Sequence, residues 1–125
     1  MEAKPLVLSV DDLEDARVIQ AALLQLWGYR VAVAADGFEA VEKARQFQPA
    51  VILLDLNMPQ MNGFEAARRL KEDDQTRAIP LIAVSANAVP EYEERARSAG
   101  FESFLTKPVP LQKLLLEIQR VLESS

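Results

Sequence analysis

The chain has no cysteine, no histidine and only four glycines. Without cysteine there is no disulfide frame, no thiol nucleophile and no thiolate metal site, and a reducing compartment is permitted. The lack of histidine removes the commonest general base, the Ser/His/Asp triad and every imidazole metal site, so any chemistry must run on carboxylates, hydroxyls, amides and lysine. Positive charge is scarce as well. With 14 basic against 19 acidic residues the net charge is −5, and no Lys/Arg run offers a surface for direct contact with nucleic acid or an anionic membrane. No apolar run approaches a membrane span or a signal-peptide core, which leads us to expect a cytoplasmic protein. No G-x-G-x-x-G or P-loop glycine pattern follows any apolar run, which weakens a nucleotide-binding reading.

What is present fits one soluble globular domain. The chain has 125 residues, half of them apolar and 26% charged, so a single domain over 1–125 is expected, with its core at about 6–122. Short apolar runs alternate with helical patterns: LVLSV (6–10), RVAVA (30–34), VILLD (51–55), PLIAVS (80–85) and SFLT (103–106). A helical stretch follows each run. The first reaches Trp27 and is closed by Gly28; later ones start near Phe38 and Phe64, a fourth covers about Glu91 to Ala99 before Gly100, and a last one ends the chain. Ile19, Ala22, Leu23 and Leu26 share one helical stripe and are expected in the core. Leu111, Leu114, Leu115, Ile118, Val121 and Leu122 form another, while Leu116 and Val89 fall off the stripes. Runs that are apolar throughout imply burial on both faces. Strict β/α alternation then predicts an α/β fold: a doubly wound, five-stranded parallel sheet with helices on both faces.

In such a sheet the C-terminal ends of the strands open on one edge, where ligands bind. Asp11 and Asp12 follow the first strand, Asp55 ends the third, Ser85 the fourth, and Lys107 with Pro108 follows the fifth. Three carboxylates brought within about 4 Å of one another would repel by roughly 4 kcal/mol per pair at an effective dielectric near 20. A cation must offset them. Oxygen donors without His or Cys suit Mg²⁺, which takes one or two carboxylates, waters and a phosphate. Lys107 adds a mobile positive charge from the other side. The set is suited to receiving a phosphoryl group, with Asp55 the candidate nucleophile and the Ser85 hydroxyl a donor to the phosphoryl oxygens.

With VDD, DLNMPQMNG around Asp55, VSA at Ser85 and TKP at Lys107, in this order and spacing, the chain resembles the response-regulator receiver domains of two-component signalling, from about Leu6 to Leu122. The resemblance implies a flavodoxin-like (βα)5 fold with strand order 2-1-3-4-5. It also implies phosphorylation of Asp55 by a histidine kinase or histidine phosphotransfer protein. Asp12, Asp55 and the Asn57 carbonyl would ligate Mg²⁺, with Asp11 acting largely through metal-bound water. Lys107 would bind the phosphoryl group, its bond to Pro108 would be cis, and Gly63 would close the loop after Asp55. Ser85 and Phe104 would be the switch pair, and Asn57 and Asn87 would tune phosphate lifetime. Phe104 lacks the hydroxyl of a tyrosine, and Ser85 stands where the family has Thr. Partner binding would change on the face made by the fourth helix, fifth strand and fifth helix, in a monomer or a weak phosphorylation-dependent dimer. With no output domain following, the output would be a protein contact.

Each residue also has a plainer reading. Asp11 and Asp12 can cap the first helix with Glu14 or Asp15 completing a capping box, and a lone Asp55 can be a turn residue. Four strand ends carrying the required residue types favour the joint reading. Rival functions are a receiver excised from a hybrid histidine kinase, a binding-only module, and a small aspartyl-phosphate phosphatase or phosphotransferase. The last is disfavoured because haloacid-dehalogenase-type enzymes place a second Asp two residues after the nucleophile, where this chain has Asn57.

Overall fold

The computed structural model describes residues 4–58 and 61–124. Pro59, which follows Met58 in the loop after Asp55, lies outside the described residues. Five strands alternate with five helices: β1 (Leu6–Val10), α1 (Glu14–Leu26), β2 (Arg30–Ala34), α2 (Gly37–Phe47), β3 (Val51–Asp55), α3 (Gly63–Glu72), β4 (Leu81–Ser85), α4 (Pro90–Ser98), β5 (Ser103–Thr106) and α5 (Leu111–Ser124). All pairings are parallel and the order is β2-β1-β3-β4-β5, as expected for a flavodoxin-like sheet. β3 and β4 are buried at every position. This is why their sequences read as unbroken apolar runs.

Successive strand residues feed two separate cores, because side chains alternate between the faces of a strand. Leu8, Ile52, Leu54, Leu81 and Ala83 pack with α2, α3 and α4, whereas Val7, Val51, Leu53, Ile82 and Leu105 pack with α1 and α5. Local chemistry sets the helix starts. Asp36 caps α2 by accepting from the Glu39 N–H at 2.8 Å, and Asn62 caps α3 by accepting from the Glu65 N–H at 3.0 Å. Gly63 is needed for close approach: a Cβ there would lie 2.7 Å from the Asp55 carbonyl oxygen and 2.8 Å from Leu56 Cα. The glycine lets α3 start hard against the end of β3.

The α5 stripe is as expected, with Leu114, Ile118 and Val121 buried; Leu116 and Val89 are exposed. The α1 stripe is not. Leu26 is 81% and Ile19 60% exposed, Ala22 is exposed, and Leu24 is the buried residue of the helix. The helix is rotated so that Arg17, Gln20 and Leu24 face the sheet. Gln20 accepts a hydrogen bond from the buried Ser9 hydroxyl at 2.8 Å, and Arg17 donates to the Asp11 carbonyl at 2.8 Å. Two polar anchors thus set an orientation that hydrophobicity alone would not choose. The plainer reading of Asp11 and Asp12 as a capping box is not realised: Leu13 occupies the cap position without a side-chain bond, and Asp11 accepts from the Leu13 N–H at 3.0 Å.

Candidate functional site at the C-terminal sheet edge

The parallel register brings the polar strand ends together. β1 and β3 lie side by side with Val10 opposite Leu54, so Asp11, one residue past β1, is level with Asp55 at the end of β3. Oxygens of Asp11, Asp12 and Asp55 all lie within 4.8 Å of one another. Asp11 and Asp55 are buried and Asp12 is half-buried. The donor set is three hard carboxylates with negative charge in excess, which fits a small divalent cation held by oxygen.

Lys107 reaches this cluster from β5. Its Nζ donates to Asp55 Oδ2 at 2.9 Å and lies 3.4 Å from Asp11 Oδ2. Burial opposes the ammonium charge, but hydrogen bonds and Coulomb attraction from Asp55 and then Asp11 outweigh it, and its pKa is raised above the ordinary lysine value. The backbone N–H of Lys107 donates to the Ser85 carbonyl at 2.8 Å, and the Lys107–Pro108 peptide is cis. The other oxygen of Asp55, Oδ1, accepts from the Asn57 N–H at 2.8 Å. Each oxygen therefore has a fixed partner and retains lone pairs.

Ser85 is fully buried at the end of β4. Its hydroxyl donates to Asn57 Oδ1 at 3.3 Å and accepts from the Asn87 N–H at 3.0 Å. Phe104 is half-buried on β5 and packs against the core on the α2, α3, α4 side together with Tyr92 and Ala99. The predicted residues thus lie at or beside one sheet edge.

Sequence reasoning missed a groove. Between α1 and α5 lies an open cavity of about 670 Å³, lined by Ala16, Ile19 and Leu23 on α1, by Val109 before α5 and by Leu111 at its start. Asp11 and Lys107 also line it. A signal was present in the sequence: Val18, Ile19, Leu23, Leu24, Leu26 and Trp27 cover more of the helix surface than one sheet face can bury.

A βα sandwich with an acidic cluster, a lysine and a hydroxyl on one edge defines a class, and comparison with known proteins agrees. The family model of the response regulator receiver domain matches residues 7–119, and the chain belongs to that family. It is a receiver domain of two-component signalling, a signalling switch. It is 35% identical over 116 residues to the polar-differentiation response regulator DivK of Brucella anthropi, covering 93% of this chain and 94% of that one. Among solved structures it is similar to the chemotaxis protein CheY4 of Vibrio cholerae (TM-score 0.90, 36% identity, 95% of this chain and 99% of that chain). It also resembles the receiver domain of the sensor histidine kinase PA1611 of Pseudomonas aeruginosa (TM-score 0.89, 32% identity, 97% and 99%), whose structure has a magnesium ion coordinated in the active-site cleft. Among the described residues no helix is long and apolar enough to cross a membrane.

Proposed function

We propose that this chain is a phosphorylation switch, a single receiver domain acting in the cytoplasm, whose Asp55 accepts a phosphoryl group from a histidine kinase or histidine phosphotransfer protein. The observation that carries the reading is the convergence of Asp11, Asp12, Asp55 and Lys107 at one sheet edge. Asp55 attacks phosphorus, the P–N bond of the donor phosphohistidine breaks, and the bonding electron pair leaves with the imidazole nitrogen. Asp11, Asp12, Asp55 and the Asn57 carbonyl are the groups to hold Mg²⁺, which when bound neutralises charge on the phosphoryl oxygens. Lys107, already hydrogen-bonded to Asp55, moves with the charge toward the new phosphoryl oxygens. Ser85 donates its hydroxyl to one of them, Phe104 turns inward, and the α4–β5–α5 face changes its affinity for a downstream protein. Asn57 and Asn87 flank the path of hydrolytic water and set how long the phosphorylated state lasts.

The groove between α1 and α5 is the proposed seat of the phosphodonor. It is mostly apolar, Asp11 and Lys107 are among the residues that line it, and a helix of a donor laid in it would bring a histidine to the Asp55 edge. Incubation with acetyl phosphate, with and without Mg²⁺, tests the chemistry by intact mass. The expected result is a Mg²⁺-dependent gain of one phosphoryl group that Asp55→Asn abolishes. Uptake that persists in the variant would overturn the assignment of Asp55.

A further inference from the structure

The Asn57 side chain does something the phosphoryl-transfer reading does not require. Its Oδ1 accepts from both the Ser85 hydroxyl and the Ala86 N–H, each at 3.3 Å. The Ala86 N–H can only donate, so it fixes the amide with oxygen toward the β4–α4 loop. The Ser85 oxygen is in turn the acceptor of the Asn87 N–H, at 3.0 Å. Its own proton is thereby directed to Asn57. The chain of bonds continues, for Asn87 Oδ1 accepts from the Val89 N–H at 3.1 Å, and Val89 is the residue that precedes α4. Val89 offers α4 no side-chain cap. The start of α4 is therefore positioned through Asn87, Ser85 and Asn57, back to the loop that follows Asp55.

From this geometry we infer that Asn57 is a positioning residue, a latch that holds the Ser85 hydroxyl in its resting place and so opposes the switch. The inference rests on the reading that Asp55 is phosphorylated. Ser85 has one proton to donate. If it bonds a phosphoryl oxygen on Asp55, it must give up Asn57, and the loop of residues 86–89 keeps only the Ala86 N–H bond to Asn57 Oδ1 as its tie to the β3–α3 loop. The Asn57 amide oxygen and the phosphoryl oxygen compete for one donor. The resting state is stabilised by whatever the Asn57 bond contributes, and the activated state is disfavoured by the same amount.

A double-mutant cycle on beryllofluoride binding in the presence of Mg²⁺ tests this, because beryllofluoride mimics the phosphoryl group without being hydrolysed, so water access to Asp55 does not enter. Asn57 is exposed, and Asn57→Ala keeps the backbone carbonyl while removing the acceptor. Release of one hydrogen bond should tighten beryllofluoride binding by about threefold to tenfold. In the Ser85→Ala background the same substitution should change binding by less than about twofold, since no hydroxyl remains to release. In the unliganded protein, Asn57→Ala should also increase millisecond exchange at the amides of Ala86, Asn87 and Val89. Equal effects of Asn57→Ala in both backgrounds, or no effect in either, would overturn the latch while leaving the phosphorylation reading intact. A wild-type protein that takes up neither beryllofluoride nor phosphate would overturn both.

Discussion

Three carboxylates and one ammonium share the end of β1 and β3, and Lys107 pairs with only two of them, Asp11 and Asp55. Asp12 is the third, and its charge adds repulsion that nothing in the Lys107 pairing offsets. Such crowding is a cost to the fold that a metal site can tolerate, because the ion that binds it returns the energy. Asp12→Asn should therefore raise stability in metal-free buffer by about 1 kcal/mol, read from the urea midpoint at constant m-value. It should also remove most of the stabilisation that Mg²⁺ confers on the wild type. A variant that is no more stable, or that still gains as much from Mg²⁺, would show that Asp12 is not part of a strained cation site. Gly63 is the second residue whose role is set by space: a Cβ there would lie 2.7 Å from the Asp55 carbonyl oxygen, and its absence is what allows α3 to start against the end of β3. Gly63→Ala should cost about 1–3 kcal/mol through overpacking against backbone that cannot yield, and it should slow phosphorylation because it displaces Asp55 itself.

At the scale of the elements, α1 separates what was legible in the sequence from what was not. The strand runs and their polar ends could be read directly, since a strand buried on both faces has no alternative pattern and each end is a fixed point along the chain. Helical periodicity, by contrast, identifies stripes but not which stripe meets the sheet. In α1 the choice is made by Ser9 bonding Gln20 and by Arg17 bonding the Asp11 carbonyl, partners that no spacing rule exposes. The Ser85–Asn57 bond was illegible for the same reason, since it joins the end of β4 to the β3–α3 loop, 28 residues apart. Two leucines two residues apart test the orientation of α1. Leu24→Ala should cost about 2–4 kcal/mol, because Leu24 is fully buried and its removal leaves a cavity. Leu26→Ala should cost less than about 0.5 kcal/mol in the same denaturation assay. Ile19→Glu should be similarly mild for stability yet lower the ratio of phosphorylation rate with a phosphohistidine protein to that with acetyl phosphate. An unchanged ratio would remove the α1–α5 groove from the docking proposal.

Across the whole molecule, ion pairs on the outer faces of the helices, most of them on the α2–α3 side and one on α5, have charge states that set a pH limit. Arg68 donates to both Glu65 and Glu72, Arg45 pairs with Asp73, and Arg120 with Glu117. Hydrogen bonding from Arg68 is the main influence that lowers the Glu65 pKa to about 2, from an ordinary 4.5. The Gln75 N–H, followed by Arg45, holds Asp73 below its ordinary value. For Glu117 burial acts in the opposite direction and is the largest single influence, yet hydrogen bonds from Arg120 and Ser103 with the nearby positive charges outweigh it, and its pKa is also lowered. All three carboxylates thus release their protons more readily in the folded state than in the unfolded one. Their contribution is present above the unfolded carboxylate range and is lost as pH falls through the folded values, because there the unfolded chain binds more protons. Stability should accordingly decline between pH 5 and about 2. These pairs lie at the surface, so the decline should also shrink as salt is added. Arg68→Ala leaves Glu65 and Glu72 without their shared partner, and the slope of the urea midpoint against pH should flatten over this range. A slope that matches the wild type would place the acid sensitivity of the fold outside the Arg68 pairs.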